Sequence, residues 1–200
     1  PLGLIANNPH HLAGAIDSDG ADKGARFLQL CDAFDMPIVS LMDCPGIMVG
    51  PEVEKTALVR HCCRMFNTGA NLSVPMFGLI IRKAYGLGVQ AMCGGSSMVP
   101  LFTSAWPTAE FAGMNIEGSI KLAYRNDFAE MEDAEERIAD FTRKVDAAYD
   151  RAKAVNSAEF YGIDDVIDPA DSRAMVVAGL RSLPPVSPRN GKKRPYIDTW

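Results

Sequence analysis

The run VPMFGLIIRKAYGLGVQAM, residues 74–92, decides the fold. Its first eight residues, Val74 to Ile81, are almost all apolar, which is typical of a strand covered on both faces of a parallel sheet. Gly86 and Gly88 then allow a sharp turn into a helix. The first N–H groups of that helix lack a partner within it and lie at the positive end of its dipole, so this corner can hold an oxyanion. A tight connection whose glycines serve only packing stays equally open.

Apolar strands and amphipathic helices alternate on both sides of this corner. Further strands are predicted at 2–7, 12–16, 37–42, 101–106 and 110–114, and helices from Ser18 or Asp19 to Phe34, from Glu52 to Phe66 and from Asp133 to Ala154. Connections of this length predict an α/β fold, a mostly parallel sheet flanked by helices. The apolar stripe of the last helix is predicted to pack on the outside of the core or, alternatively, against a second subunit; it comprises Ala134, Ile138, Phe141, Val145, Ala148 and Ala152.

The composition divides the chain into a domain at 1–183 and an extended tail at 184–200. The tail is rich in Pro, Arg, Gly and Lys, and we interpret its basic cluster, Lys192 to Arg194, as solvated. Tyr196, Ile197 and Trp200 are apolar enough to dock on the domain.

Length and charge exclude several classes of protein. A chain of 200 residues with 48% hydrophobic and 22% charged residues is typical of a globular domain with one buried core. The net charge of -5 argues against a nucleic-acid partner, because phosphate-binding proteins normally carry a basic surface. No run approaches the roughly 18 apolar residues of a membrane span, so no membrane partner is predicted.

The five cysteines predict reduced thiols in a cytoplasmic compartment, or in the mitochondrial matrix of a eukaryote. Their number is odd, and the adjacent pair Cys62 and Cys63 is poorly placed to form a disulfide with itself. The spacing of cysteines and histidines matches no zinc motif, so no metal is predicted. Each cysteine is expected to be a small core residue.

Six motifs occur in the order found in one enzyme family. They are Gly3–Asn7, Lys23–Phe27, Asp43–Ile47, Arg82–Gly86, Ala105–Glu110 and Gly162–Pro169. Together they resemble the C-terminal half of the carboxyltransferase subunit of biotin-dependent acyl-CoA carboxylases, as in the propionyl-, acetyl- and methylcrotonyl-CoA enzymes. The resemblance covers nearly the whole chain. It implies the crotonase fold, a superhelix of repeated strand-strand-helix units, which refines the α/β class.

The resemblance also implies cofactors and partners. In this family the reaction moves a carboxyl group from carboxybiotin, held on a carrier protein, to the α-carbon of an acyl-CoA. The N-terminal half of the subunit supplies most of the acyl-CoA site and the C-terminal half the biotin side, and active sites lie between halves of different subunits. We therefore expect this chain to need an N-terminal half, biotin carboxylase and biotin carboxyl carrier subunits, and a homo-oligomer. Alone it should be catalytically silent.

The resemblance assigns roles to the glycine corner. In similar enzymes the backbone N–H groups of the turn, here Gly86, Leu87 and Gly88, stabilise negative charge on the ureido oxygen of biotin. Tyr85 is expected to join them in binding the cofactor. Gly46 and Ile47 end the neighbouring strand, where ligands of such sheets usually bind, and their loop supplies a second donor or shapes the pocket. The chemistry requires neither a Ser/His/Asp triad nor paired carboxylates.

Two departures from the family pattern leave the acyl preference open. Many members carry Gly-Gly-Ala where this chain has Gly86, Leu87 and Gly88. Gln90 falls at a position that is often acidic and that influences acyl-chain selectivity. The direction of flux is also open, because biotin-dependent decarboxylases use a similar carboxyltransferase in reverse. A crotonase-like scaffold without activity is the third possibility.

Overall fold

The computed structural model describes residues 1–160, 162–185, 188 and 190–199. The strands are β1 (Gly3–Ala6), β2 (Ile38–Cys44), β3 (Met76–Tyr85), β4 (Phe102–Ala105), β5 (Glu110–Ala112) and β6 (Asp165–Val166). The helices are α1 (Ser18–Ala33), α2 (Pro51–Glu54), α3 (Leu58–Ala70), α4 (Gly86–Met92), α5 (Ile116–Ala123), α6 (Arg125–Glu130), α7 (Ala134–Ala152), α8 (Ala154–Glu159) and α9 (Ser172–Ser182). Short 3-10 turns lie at Leu12–Gly14 and Pro169–Asp171.

The strands form one parallel sheet in the order β1-β2-β3-β4-β6, with β5 paired to β3. The predicted apolar strand lies at its centre, where Phe77 and Ile80 are fully buried. Successive side chains of β2 point to opposite faces. Ile38 and Met42 pack in the cluster under α1 and α3, and Val39 packs in the cluster under α9. The α/β prediction is therefore confirmed.

The register between β2 and β3 shifts once along the strands. The residues after the shift form a second, shorter set of strand pairs, here called the second layer. Met42 lies opposite Ile80, but Cys44 lies opposite Ala84, so β3 contains two extra residues at this point. The first half of β3 pairs with β4 and its last residues pair with β5. An isolated parallel bridge between Ile16 and Ile47 extends the second layer. The helices α1 and α4 thus each follow a strand and a second short stretch of strand pairing.

The strand predicted at 12–16 is wrong. Leu12 and Ala13 adopt left-handed backbone angles, with φ of 48° and 54°, and Gly14 follows at 91°. Gly14 lies against the β2 backbone, and a Cβ there would be 2.3 Å from the carbonyl oxygen of Asp43. This contact forces the chain into a compact turn, so only Ile16 reaches a strand-like bridge.

Two predicted helices begin or run differently. The cap of α1 is Asp17, whose carboxylate accepts a hydrogen bond from the amide of Gly20 at 2.8 Å, and not Ser18 or Asp19. The helix predicted from Glu52 to Phe66 is divided into α2 and α3, because Ala57 is left-handed with φ of 58°. A left-handed residue ends one run of helical hydrogen bonds before the next can begin.

The long predicted helix is confirmed as α7, but only part of its stripe is buried. Asp133 caps it by accepting from the amide of Glu135 at 2.8 Å. Val145 and Ala152 are buried, whereas Ile138 is 65% exposed. The C-terminal half of α7 therefore packs within the chain, and a contact of the exposed half with a second subunit stays a prediction.

The prediction that the basic cluster of the tail is solvated is wrong for Lys193 and Arg194, whereas Lys192 is exposed. Lys193 and Arg194 form ion pairs with Asp32, at 3.1 and 2.6 Å, and both side chains are largely buried. Ile197 is half-buried, while Tyr196 is 73% exposed. Trp200 lies outside the described residues. Charge, more than apolar docking, therefore attaches this tail to the domain.

Candidate functional site

The predicted glycine corner is the junction of β3 and α4. β3 ends at Tyr85 and α4 begins at the next residue. Gly86 has a φ of +57°, and a Cβ on it would lie 2.8 Å from the carbonyl oxygen of Gly113. Glycine is favoured here for both reasons. As in any α-helix, the first N–H groups of α4 lack an acceptor within the helix.

The loop that follows β2 lies directly against this corner. A Cβ added to Gly88 would be 2.6 Å from the sulfur of Cys44 and 2.8 Å from the Cα of Gly46. The structure thus brings together the two segments that the sequence singled out, Gly86–Gly88 and Asp43–Ile47. It also gives Gly88 a packing role, since the backbone that approaches it closely belongs to the protein itself.

Backbone hydrogen bonds hold this loop in place. The amide of Ile16 donates to the carbonyl of Gly46 at 3.1 Å, and the amide of Met48 donates to Ile16 at 2.9 Å. Cys44 is buried, and burial raises the pKa of its thiol. The buried sulfur of Cys44 fills the space beside Gly88 and so has a packing role at this corner.

The side chains of the predicted site residues differ in their exposure to solvent. The side chain of Leu87 is 58% exposed and finds room by pointing away from the packed core. Gln90 is exposed as well. Tyr85 is buried, and its hydroxyl donates to a carboxylate oxygen of Glu110 at 2.8 Å. Any contact of Tyr85 with a cofactor would therefore use its backbone.

The sequence analysis did not identify three side chains near the corner, those of Asp43, Thr108 and Glu110, as site residues. The carboxylate of Asp43 accepts from the amide of Lys83 at 3.2 Å. The hydroxyl of Thr108 donates to the carbonyl of Ile81 at 2.6 Å, and Glu110 accepts from Tyr85. All three bond to the irregular part of β3 just before α4. Two of them lie in the motif 105–110, but only the fold brings that motif to β3, some 25 residues earlier in the chain.

A second tyrosine–glutamate pair lies behind the first. The hydroxyl of Tyr149 on α7 donates to Glu117 on α5 at 2.7 Å. This hydrogen bond raises the pKa of Tyr149 to about 12. Burial, followed by the bond to Glu110, raises the pKa of Tyr85. Both hydroxyls consequently stay protonated near neutral pH and act as hydrogen-bond donors.

Two cavities are lined by residues other than Gly86, Leu87 and Gly88. One of about 940 Å³ runs along β1 and α1 and is lined by Phe27 and Leu30 among others. One of about 540 Å³ lies beneath the tail, beside Asp32 and Arg194. The glycine corner, by contrast, is a partly exposed surface.

Other predicted features can be compared with the structure. Cys31, Cys44, Cys62 and Cys93 are buried free thiols, as expected of core residues, while Cys63 is exposed. In the described ranges, no group of three or more His, Cys, Asp or Glu side chains is arranged to hold a metal ion. Across the same residues, every helix is too short or too polar to cross a bilayer.

Sequence comparison identifies a family over most of the chain. Residues 1–187 match the model of the carboxyl transferase domain. The carboxyltransferase subunit of propionyl-CoA carboxylase from Haloferax mediterranei is 33% identical over 182 residues, which cover 91% of this chain and 35% of that protein. Methylmalonyl-CoA decarboxylase subunit alpha from Propionigenium modestum is 36% identical over 183 residues, with the same two coverages. The chain spans about a third of the length of these relatives.

Solved structures show the same fold. A single-chain, multi-domain long-chain acyl-CoA carboxylase is 50% identical, with a TM-score of 0.80, over 89% of this chain and 17% of that one. The transcarboxylase 12S hexamer, solved with methylmalonyl-CoA, is 30% identical, with a TM-score of 0.82, over 99% of this chain and 38% of that one. The repeated strand-strand-helix units are those of a crotonase-like superhelix, as predicted.

Proposed function

The chain belongs to the carboxyl transferase domain family, and on that premise we propose that it is the biotin-side half of an acyl-CoA carboxyltransferase. The complete enzyme would transfer a carboxyl group from carboxybiotin to the α-carbon of an acyl-CoA. The observation that carries this proposal is the contact between the glycine corner and the loop Asp43–Ile47, here called the Gly46 loop. It occurs inside a chain that matches the family over residues 1–187.

The groups at the corner fit a biotin ring. The N–H groups of Gly86, Leu87 and Gly88 are uncharged donors, which suit the ureido oxygen of biotin. Gly46 and Ile47 would shape the adjoining wall, and Tyr85 would contribute through its backbone. Biotin, when bound, supplies the carboxyl group and an oxygen on which negative charge develops as that group leaves. Donors fixed in a backbone need little reorganisation as the charge develops, and losing one typically costs about a hundredfold or more in rate.

The partners follow from the division of labour in such enzymes. We infer that an N-terminal half binds most of the acyl-CoA, and that biotin carboxylase and a biotin carboxyl carrier load and deliver the cofactor. The hexamer of transcarboxylase 12S supports a homo-oligomer, and we infer that halves of different subunits meet in it. The four buried free thiols are in keeping with the reducing conditions of the cytoplasm.

A carboxyltransferase that works in the decarboxylating direction is the second candidate. The Propionigenium modestum decarboxylase subunit is about as similar to this chain as the carboxylase relative, and the same corner would serve either direction. A biotin carboxylase partner would favour the carboxylase. A membrane decarboxylase partner would favour the alternative.

The deciding experiment measures carboxyl transfer by the complete subunit with a carboxylated biotin carrier and acetyl-, propionyl- or longer acyl-CoAs. We expect transfer with a clear preference for one chain length. The isolated 200-residue chain should be silent, because most of the acyl-CoA site lies elsewhere. Transfer by this chain alone would contradict the assignment to one half, and a folded but inactive complete subunit would favour a scaffold.

We propose that Gln90 contributes to the acyl preference, since it is exposed on α4 one turn beyond the corner. Replacing Gln90 with Asp or Ile in the complete enzyme should change the ratio of kcat/KM between short and longer acyl-CoAs. One methylene in a fitted pocket is worth about 1 to 3 kcal/mol. An unchanged ratio would remove Gln90 from the site.

A further inference from the structure

We propose that Glu110 is a positioning residue for carboxyl transfer, which fixes the donors of the glycine corner through the hydroxyl of Tyr85. This inference rests on the proposed function, because it concerns how the same corner is kept in the orientation that the reaction needs. Glu110 would not touch the substrate or the biotin ring.

Tyr85 lies where β3 passes into α4. It is the last residue of β3 and the cap residue of α4, and only 2% of it is exposed. Its side chain turns to Glu110, at 2.8 Å, instead of capping the helix. Glu110 begins β5 and lies opposite Lys83 in the parallel pairing. The hydrogen bond therefore joins the start of α4 to a neighbouring strand that is itself held in the sheet.

The corner needs such support because its glycine-rich sequence does little to restrict its backbone conformation. Gly86 and Gly88 have more backbone freedom than any other residue type, and Gly86 adopts a left-handed angle. The residues just before them belong to the irregular part of β3, where the register shifts. Asp43 and Thr108 bond to Lys83 and Ile81 there, and Glu110 secures the last residue before the turn. Three side chains thus add to the backbone pairing of β3 with β5 at this point.

Tyr149 and Glu117 provide a matched control inside the same molecule. Their hydrogen bond has nearly the same length, 2.7 Å, and joins the same pair of chemical groups. It connects α7 to α5, however, and although Tyr149 packs against the hydrophobic cluster that contains Tyr85, it lies in neither β3 nor α4. Tyr149→Phe therefore tests whether loss of a neighbouring tyrosine hydroxyl is enough to affect the corner, and only Tyr85→Phe should do so.

The test uses Tyr85→Phe, Tyr149→Phe, Glu110→Ala and Glu110→Gln in the complete carboxyltransferase subunit. The measurements are kcat, KM for acyl-CoA, and hydrogen–deuterium exchange of the amides of residues 86–90 without biotin. We expect Tyr85→Phe and Glu110→Ala to lower kcat by about ten- to a hundredfold, since small misplacement of catalytic groups has effects of this size. KM should be unchanged, and exchange at 86–90 should be faster. Glu110→Gln keeps an acceptor oxygen and should retain most activity, and Tyr149→Phe should retain wild-type kcat and exchange.

The outcomes separate this inference from the proposed function. A wild-type subunit without carboxyl transfer would contradict the function, while the exchange data would still test the positioning role. If the wild type is active, equal losses of kcat in Tyr85→Phe and Tyr149→Phe would overturn the inference, as would wild-type kcat and exchange in Tyr85→Phe. Failure of Glu110→Gln to retain activity would also overturn the inference, because it would assign the effect to the charge of Glu110 and not to its hydrogen bond with Tyr85.

Discussion

The glycine corner and the C-terminal tail are held in place by different kinds of contact. At the corner, α4 and the Gly46 loop lie so close that the contact depends on the absence of a side chain at Gly88. In the tail, residues 190–199 cross α1 and α3 and are held by charged and polar side chains. A contact between backbones cannot be adjusted without moving the backbone. A charged contact depends on pH and on each partner, so the two regions should respond differently to substitution.

Asp32 is the centre of the tail contact. Only 2% of it is exposed, and its carboxylate accepts from the amide and the hydroxyl of Ser73, at 2.8 and 3.0 Å. Arg194 and Lys193 complete its partners. Because Asp32 lies in the last turn of α1, these two cations also face the negative end of that helix dipole. Buried charge is stable only when paired in this way.

The far end of the tail adds a second set of contacts. Gln29 exchanges two hydrogen bonds with Asp198, at 2.8 and 2.9 Å. Arg64 donates to the carbonyl of Thr199 at 2.6 Å and also pairs with Asp22 at 3.0 Å. The tail is therefore connected both to α1 and to α3.

The largest expected effect is at the corner. Gly88→Val should lower the free energy of unfolding by about 3 kcal/mol, because the new side chain overlaps the sulfur of Cys44 and the backbone of Gly46. Chemical denaturation of the purified chain measures this change. Gly113→Ala is the control, since no described atom lies within 4 Å of a Cβ added there. A stable Gly88→Val variant would show that the close approach at the corner is not fixed.

The next effect breaks the tail contact. Asp32→Ala should lower the free energy of unfolding by between about 2 and 3 kcal/mol, because Lys193 and Arg194 lose their buried partner. Faster proteolysis at residues 190–199 should accompany the loss. The control, Asp150→Ala, removes an exposed ion pair with Lys153 and should leave the free energy of unfolding nearly unchanged. Equal effects of the two substitutions would contradict a structural role for the tail.

The pH dependence sharpens the difference between the two regions. Burial by itself raises the pKa of Asp32, but hydrogen bonds from Ser73, Arg194 and Lys193 overcome it and lower the pKa from 3.8 to about 2. A pKa that is lower in the folded state stabilises the protein above the unfolded value and ceases to do so as the pH falls through the folded one.

At most about 2 kcal/mol should therefore be lost through Asp32 between pH 5 and pH 2. Denaturation midpoints measured across this range should fall less steeply in Asp32→Asn than in the wild type. Gly88→Ala should shift the whole curve without changing its slope. Identical slopes for the wild type and Asp32→Asn would show that Asp32 is not the group responsible.

The smallest effect is a difference in thiol labelling. Cys63 is exposed and should react first with a thiol reagent at pH 8, whereas Cys44 is buried beside the corner and burial raises its pKa. In Gly88→Val, displacement of the Gly46 loop should make Cys44 react faster. Mass spectrometry of labelled peptides gives each rate. An unchanged rate at Cys44 would mean that the substitution is absorbed elsewhere.

Much of the architecture could be predicted from local patterns. The apolar run at 74–81, the helix capped at Asp133 and the alternation of strands and helices all have strong periodicity, and all are present. The errors at 12–16 and at Ala57 have one cause. Both segments contain residues other than glycine with left-handed backbone angles, and such angles are stabilised by neighbours that are distant in sequence.

The sequence by itself determined the fold class, the family motifs and the place of the glycine corner, because each depends on residues close together in the chain. Only the tertiary structure decided that Gly88 packs on the Gly46 loop, that Glu110 reaches Tyr85 and that Lys193 and Arg194 pair with Asp32. These contacts join residues from 25 to 162 positions apart. Hydrophobic periodicity carries no information about which polar side chains will meet across such distances; the packing of the sheet and helices does.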